Sequence, residues 1–223
     1  MAGGRRAIKR IAVALGCWGV CLALLTGCRL FVLQEGSDSQ GYWLPLSVAV
    51  QLDATVLNAA LDYRDSCQQP QTYPAGEPLS YFLVREMEMA FEQARVDPAS
   101  FRKPPDGAVE VTLTLSELTL FIPRQTDKSY EATVSFEGTV TFRDPGGGAL
   151  YTKNLRSDTR RTVDANKQSC QVNGLKDLVS DASLTFAQGI KKYLGTSVVL
   201  RDYARQRSGR DPDKGPFPKS GAL

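Results

Sequence analysis

The sequence predicts an α+β domain, an antiparallel sheet with two amphipathic helices packed on one face as a two-layer sandwich. Three observations lead there. Between residues 109 and 142, apolar and polar residues alternate over two long runs, the period of half-buried strands. Two other segments, 79–94 and 175–194, repeat apolar residues at spacings of three and four, the period of an amphipathic helix. The order is strand, helix, a meander of three strands, helix, which segregates the helices to one side of the sheet.

The N-terminal segment is read as an address, outside the fold. Residues 1–27 have the form of a signal peptide. Arg5, Arg6, Lys9 and Arg10 precede an apolar run over 11–25, shorter than the ~20 residues of a membrane-spanning helix. It ends in Leu25-Thr26-Gly27-Cys28. This boundary resembles the lipobox of bacterial lipoproteins: small side chains at Thr26 and Gly27 suit a peptidase cleft, and the resemblance implies that the Cys28 thiol is the acyl acceptor. Lys9 interrupts the apolar pair that a twin-arginine signal needs after Arg5-Arg6, so the general secretion route is expected. Residues 28–44 then serve as a lipid-anchored tether with a polar stretch, Gly36-Ser37-Asp38-Ser39-Gln40-Gly41.

Processing changes the charge. The whole chain carries 27 Lys+Arg against 24 Asp+Glu, a net +3. Removing the four basic residues of the signal leaves 23 against 24, or about −1. This excludes reading the protein as a basic nucleic-acid binder. Cysteine use fits an oxidising compartment. Cys17 and Cys21 leave with the signal, Cys28 is acylated, and Cys67 and Cys170 remain as an even pair, read as a disulfide.

A single α+β domain is expected over 45–200. Leu46, Val48, Val50 and Leu52 alternate with Ser47, Ala49 and Gln51, a half-buried strand. Residues 54–63 fit either a continuation of that strand or a short helical turn. Asp65, Ser66, Cys67, Pro70, Pro74, Gly76 and Pro78 make 65–78 a loop. Pro78 suits the first turn of a helix, and Leu79, Phe82, Leu83, Met87, Ala90, Phe91 and Ala94 extend it to about Arg95. Pro98 and Pro104-Pro105-Asp106-Gly107 end the region.

Val109, Val111, Leu113 and Leu115 point one way, and Leu118, Leu120 and Ile122 resume after a change of phase at Ser116-Glu117. One extra residue there reads as a bulge. After a polar turn at 124–128, Tyr130 to Phe142 alternates without a slip, giving an antiparallel hairpin. Asp144-Pro145-Gly146-Gly147-Gly148 is a second turn, before a strand over 149–156 that is able to extend toward Val163. Residues 164–170 are a loop. A second helix follows, with Asn173 as N-cap and Gly195 as its stop. Val198-Val199-Leu200 is a short apolar stretch able to dock. The polar tail, 201–223, is expected to be flexible.

Chemistry is sparse. There is no His in the chain, which removes Ser-His and Cys-His nucleophile pairs and HExxH zinc sites. Glu86, Glu88 and Glu92 are read as a solvated helix face. Gly146-Gly147-Gly148 lies between strands and lacks a following Lys-Ser/Thr, so it is a turn and no phosphate cradle. Lys153, Arg156, Arg160 and Arg161 are read as a solvated strand face. No catalytic residue, metal site or cofactor is expected. The outer sheet face carries Thr112, Thr114, Thr133, Ser135, Thr139 and Thr141. Antiparallel sheets can leave such a hydroxyl-rich surface to solvent, and it is the candidate interaction face, together with the edge of the hairpin.

The Leu25–Cys28 boundary resembles the lipobox of bacterial lipoproteins. With the element order and Gly76-Glu77-Pro78-Leu79 at the start of the first helix, the chain resembles small Gram-negative outer-membrane lipoproteins: the YajG-like, ABC- and Mce-transport auxiliary and LptE-like group. After Cys28 it reads Arg29-Leu30-Phe31-Val32, unlike the lead-in of LptE proteins. The resemblance implies diacylglycerol on Cys28, palmitate on its amine, and a periplasm-facing place at the outer membrane, since position 29 lacks the Asp of inner-membrane retention. It implies a non-enzymatic accessory or scaffold subunit of an envelope transport or assembly complex. The alternative is a carrier holding lipid or glycan in an internal cavity of several hundred cubic ångströms. A third reading, a carboxylate-based cell-wall hydrolase, needs two acids about 5–9 Å apart, which the spacing does not supply.

Overall fold

The computed structural model describes residues 42–98, 107–123, 129–166 and 168–215. The lipobox, Cys28, nearly all of the expected tether, Pro104-Pro105, the polar turn at 124–128 and residues 216–223 lie outside them.

The first strand, β1 (Leu44–Leu52), is buried on both faces, with only Ser47 exposed. Its position explains this. It lies inside the sheet between β4 (Phe91–Pro98) and β5 (Val109–Phe121) and runs parallel to both. Strands flanked by parallel neighbours are covered on two sides and read as continuous apolar runs. The sheet is therefore mixed. Its order is β4-β1-β5-β6-β7-β8, with β6 (Ser129–Arg143), β7 (Ala149–Asn166) and β8 (Gln171–Asn173) antiparallel. The simple two-helix antiparallel sandwich is corrected to a six-strand curled half-barrel with a small two-stranded sheet and four helices.

Residues 54–63 divide between both readings. Asp53 caps the short helix α1 (Ala54–Leu57) by accepting from the Thr55 amide at 2.8 Å, and β2 (Ala60–Arg64) follows. The expected loop over 65–78 instead holds β3 (Pro70–Pro74), which pairs antiparallel with β2. It also holds the first residues of α2 (Gly76–Ala90). A Cβ on Gly76 would stand 2.1 Å from the Leu57 carbonyl oxygen, so only glycine permits this close approach.

Helix α2 stops at Ala90, short of the Arg95 that its apolar spacing suggests. Phe91 turns directly to extended backbone (φ −125°, ψ 155°) and opens β4. Phe91 and Ala94 satisfy helical spacing, yet parallel pairing to β1, with Ala94 opposite Val48 and Val96 opposite Val50, decides their conformation. Tertiary pairing overrides a local period here.

The hairpin β5–β6 forms in the expected register, and the bulge falls between Leu115 and Glu117. β7 runs through to Asn166. Helix α3 (Leu175–Thr196) is capped by Gly174 in the left-handed region (φ 85°), one residue after the expected Asn173. Gly195 does not end it. That glycine is buried where Tyr42 crosses the helix, and a Cβ there would meet the Tyr42 Cα at 2.4 Å. The chain then continues as α4 (Val198–Ser208), through the segment expected to be a flexible tail. Ser197 accepts from the Leu200 amide, Gly209 closes the helix at φ 68°, and Leu200 and Ala204 are buried. Arg205 and Arg207 in the last turn complement the helix dipole.

The concave side of the sheet holds one apolar core. Leu79, Leu83, Met87 and Ala90 of α2 and Leu178, Val179, Ala182, Phe186, Ile190 and Leu194 of α3 pack there with Val111, Val134, Phe136 and Val140. Phe186 stacks on Phe136 with centroids 5.5 Å apart. Glu86, expected in solvent, is 2% exposed and accepts a hydrogen bond from Lys191 Nζ at 2.6 Å. Glu88 and Glu92 are exposed. Cys67 and Cys170 are joined, tying the loop after β2 to the turn before β8 with Cα atoms 5.1 Å apart. Among the described residues no helix is long and apolar enough to cross a membrane.

Candidate interaction face

Strand register assembles the hydroxyl-rich surface. A β-strand sends alternate side chains to opposite faces, so the core positions Val111, Leu113, Val134, Phe136, Val140 and Phe142 put their neighbours on the convex face. Paired residues then form rows across the sheet. Gln51, Thr112, Thr141 and Thr152 make one row over β1, β5, β6 and β7, and Thr114, Thr139 and Asn154 the next. Thr139 Oγ1 donates to Asn154 Oδ1 at 2.8 Å. Thr114 Oγ1 donates to the Thr139 carbonyl at 3.4 Å.

The bulge then decides the rest of the face. The extra residue at Ser116 shifts the phase, so Leu118 and Leu120 turn inward while Glu117, Thr119 and Phe121 turn outward. The following rows are Glu117–Glu137–Arg156, Thr119–Ser135–Asp158 and Phe121–Thr133–Arg160. The six expected residues, Thr112, Thr114, Thr133, Ser135, Thr139 and Thr141, share this one surface, each half-buried. Thr119, Thr152 and Asn154 complete it. Only the cross-strand register of β6 against β5 and β7 reveals them.

The face has two chemical halves. The end near Thr112 and Thr139 offers hydroxyl and amide groups and is bounded by the Glu110–Arg143 pair of the next row, 3.9 Å apart. The other end is charged and carries Phe121, 65% exposed. Two carboxylates, Glu117 and Glu137, sit directly opposite each other, with Arg156 next in the row. Asp158 is held below the usual carboxylate range, first by the Ser135 hydroxyl across the strand pair and then by Arg156, whose Nε lies 3.4 Å away. The basic run on β7 is exposed as expected, and Arg161 pairs with Asp177 and Asp181 of α3. The hairpin edge, the second expected docking surface, is not free. β5 pairs with β1, and β6 pairs with β7. Among the described residues the sheet's outer edges are β4 on one side and, on the other, β7, which β8 covers only at Asp164, Ala165 and Asn166.

No protein-family model matches the chain, and no curated protein matches it. Solved structures resemble it weakly. A Xanthomonas campestris protein of family DUF330 is 11% identical, at TM-score 0.44 over 73% of this chain and 89% of that one. A minor lipoprotein from Acinetobacter baumannii is 12% identical, at TM-score 0.39 over 69% and 92%. Uncharacterized lipoprotein B from Nitrosomonas europaea is 14% identical, at TM-score 0.43 over 78% and 96%. Likeness at this level assigns neither a family nor a function.

Among the described residues, surface depressions adjoin the sheet and helices at two places. One, about 210 Å³, lies between the loop after β2 and the end of β5, lined by Tyr63, Arg64, Leu120, Phe121 and Tyr130 among others. Beside it, burial pushes the Asp65 carboxyl up, but hydrogen bonds from the Gln69 amide, the Gln71 side chain and the Cys67 amide outweigh this and hold it below its usual range. The carboxylate is spent on closing its own loop. The other, about 370 Å³, is a shallow hollow on α2 at Ser80, Tyr81, Val84, Arg85 and Glu88. Among the described residues no group of three or more Cys, Asp or Glu side chains could hold a metal ion.

Proposed function

We propose that this chain is a non-enzymatic lipoprotein, acylated on Cys28 and held on the periplasmic side of the outer membrane. It serves there as an accessory or scaffold subunit of an envelope transport or assembly complex. The lipobox residues Leu25–Cys28 support the anchor, and two or more acyl chains hold a protein stably at a bilayer. The observation that carries the docking role is the set of register-aligned rows on the convex face. Hydroxyl and amide groups on a rigid four-strand platform offer a partner many hydrogen bonds at little desolvation cost. The open edge of β7 beside that face adds backbone groups that an extended partner segment can pair with.

A carrier needs an internal cavity. The described depressions lie at the surface and the concave side is packed with side chains, which favours the docking role.

The test is crosslinking of the acylated protein in native envelopes, with co-purified proteins and lipids identified by mass spectrometry. A stoichiometric protein partner, lost when Thr114 and Thr139 are changed to Arg, is the expected result. Enrichment of one lipid or glycan with no protein partner would overturn it in favour of the carrier.

A further inference from the structure

We infer that the corner between α3 and α4 is a membrane-contacting patch, in which Tyr193, Val198 and Val199 sit in the headgroup region of the bilayer that holds the anchor. This inference rests on the anchored reading above.

The patch exposes apolar side chains that lie outside the described core. Val198 is 71% exposed, Val199 53% and Tyr193 47%. Two adjacent valines at the first turn of α4 contribute nothing to the core, which α4 reaches through Leu200 and Ala204. Tyr193 presents a ring with a polar tip, the kind of side chain that concentrates at membrane–water interfaces.

The position of the patch selects its occupant. Tyr42 packs its backbone against Gly195, two residues from Tyr193 and three from Val198. The chain therefore joins the domain at this corner. Tyr42 lies fourteen positions after Cys28, at most about 50 Å of extended chain. This surface lies where the described chain begins, so it can rest on the bilayer with little of that length used.

Charge points the same way. Lys153 Nζ lies 5.6 Å from the centre of the Tyr193 ring, and Lys192 is exposed beside it. Asp202, one turn after the valines, is paired by Arg205 at 2.8 Å, so among the described residues the lysines remain the uncompensated charges here, and they suit a surface of anionic lipid, where each basic residue adds to the attraction.

The test uses the acylated protein carrying Val199→Trp, reconstituted in vesicles of phosphatidylethanolamine and phosphatidylglycerol with brominated acyl chains. Phe121→Trp is the control. Thr133, the row partner of Phe121, pairs with Arg160, seven residues along β7 from Lys153, so Phe121 lies roughly 23 Å from the patch at the strand rise per residue. Trp43 is buried and supplies a constant background.

The expected result is at least a twofold bromine quenching of the Val199→Trp protein, with a blue-shifted emission, and no quenching of the Phe121→Trp protein. Equal quenching of both variants, or of neither, in protein that floats with the vesicles would overturn the inference and leave the anchor intact. Disulfide-free crosslinking of two chains through position 199, without quenching, would assign the patch to a second copy and overturn it too. Protein that neither incorporates palmitate nor floats would sink the anchored reading, and this inference with it.

Discussion

Glu86 of α2 and Lys191 of α3 meet at 2.6 Å with side chains 3% and 9% exposed, a charge pair inside the interface of the two long helices. Burying a charge is costly unless it is paired, so each residue depends on the other. Removing one partner, as Glu86→Leu or Lys191→Met, is expected to destabilise the fold by about 3–5 kcal/mol. The double change Glu86→Leu with Lys191→Met should recover most of this, because no orphan charge remains. Urea denaturation of the three variants measures it; two single losses that simply add would contradict the coupling.

The Cys67–Cys170 bond closes a span of 103 residues. The chain-entropy model assigns a loop of that size about 4–5 kcal/mol. Reduction, or Cys67→Ser with Cys170→Ser, should lower the denaturation midpoint accordingly. Hydrogen exchange should quicken first in β2, β3 and β8, the elements that the bond ties together.

Asp65 makes stability depend on pH in one direction. Its carboxyl is held below the ordinary value in the folded state. Its contribution is therefore present above about pH 4, the unfolded value, and is lost as the pH falls through the lower folded pKa. Asp65→Asn should reduce Tm at pH 7, and the gap to the wild type should close on acidification below about pH 4. A gap independent of pH would show that the carboxylate charge is not what matters.

Gly195→Ala places a methyl where Tyr42 already stands. Overpacking of this kind typically costs about 1–3 kcal/mol. Since the nearest atoms include backbone, α3 and the start of the domain must separate. The readout is a red shift of Trp43 emission, with α3 still helical by circular dichroism.

Thr114→Arg and Thr139→Arg test the convex face without touching the core. Both side chains are half-buried on the outer surface and each gives up one hydroxyl hydrogen bond, so each change made singly should cost about 1 kcal/mol while partner crosslinking falls.

The hairpin β5–β6, its bulge and the apolar stripe of α3 were legible because local period and burial agree there. Three features were not, for separate reasons. β4 hides inside a helical spacing, with neither Gly nor Pro from Leu79 to Asp97 to mark the change. α4 hides in polarity: Arg201, Asp202, Arg205 and Arg207 obscure Leu200 and Ala204, although Ser197 and Gly209 are ordinary cap residues and were available as signals. Glu86 sits three residues after Leu83 and four before Ala90, squarely on the buried stripe of α2. Its charge argued for solvent, and only a partner 105 residues away explains its place. The six hydroxyl residues of the convex face followed from alternation alone, whereas Thr119, Thr152 and Asn154 required the register that the bulge sets.

The parallel setting of β1 has a consequence in time. Leu52 is paired by Leu113, which follows it by 61 residues in the chain. At a synthesis rate of roughly 5–20 residues per second, the most apolar strand of the fold exists for about 3–12 s before that neighbour has been made. Its partners on both sides come from later in the chain, and neither can be supplied by a local turn. β4 comes sooner, with Pro98 46 residues after Leu52, so the β5 edge of this ribbon of leucine and valine stays open longest, and yield in the cell should depend on factors that hold this stretch as well as on the final stability of the domain.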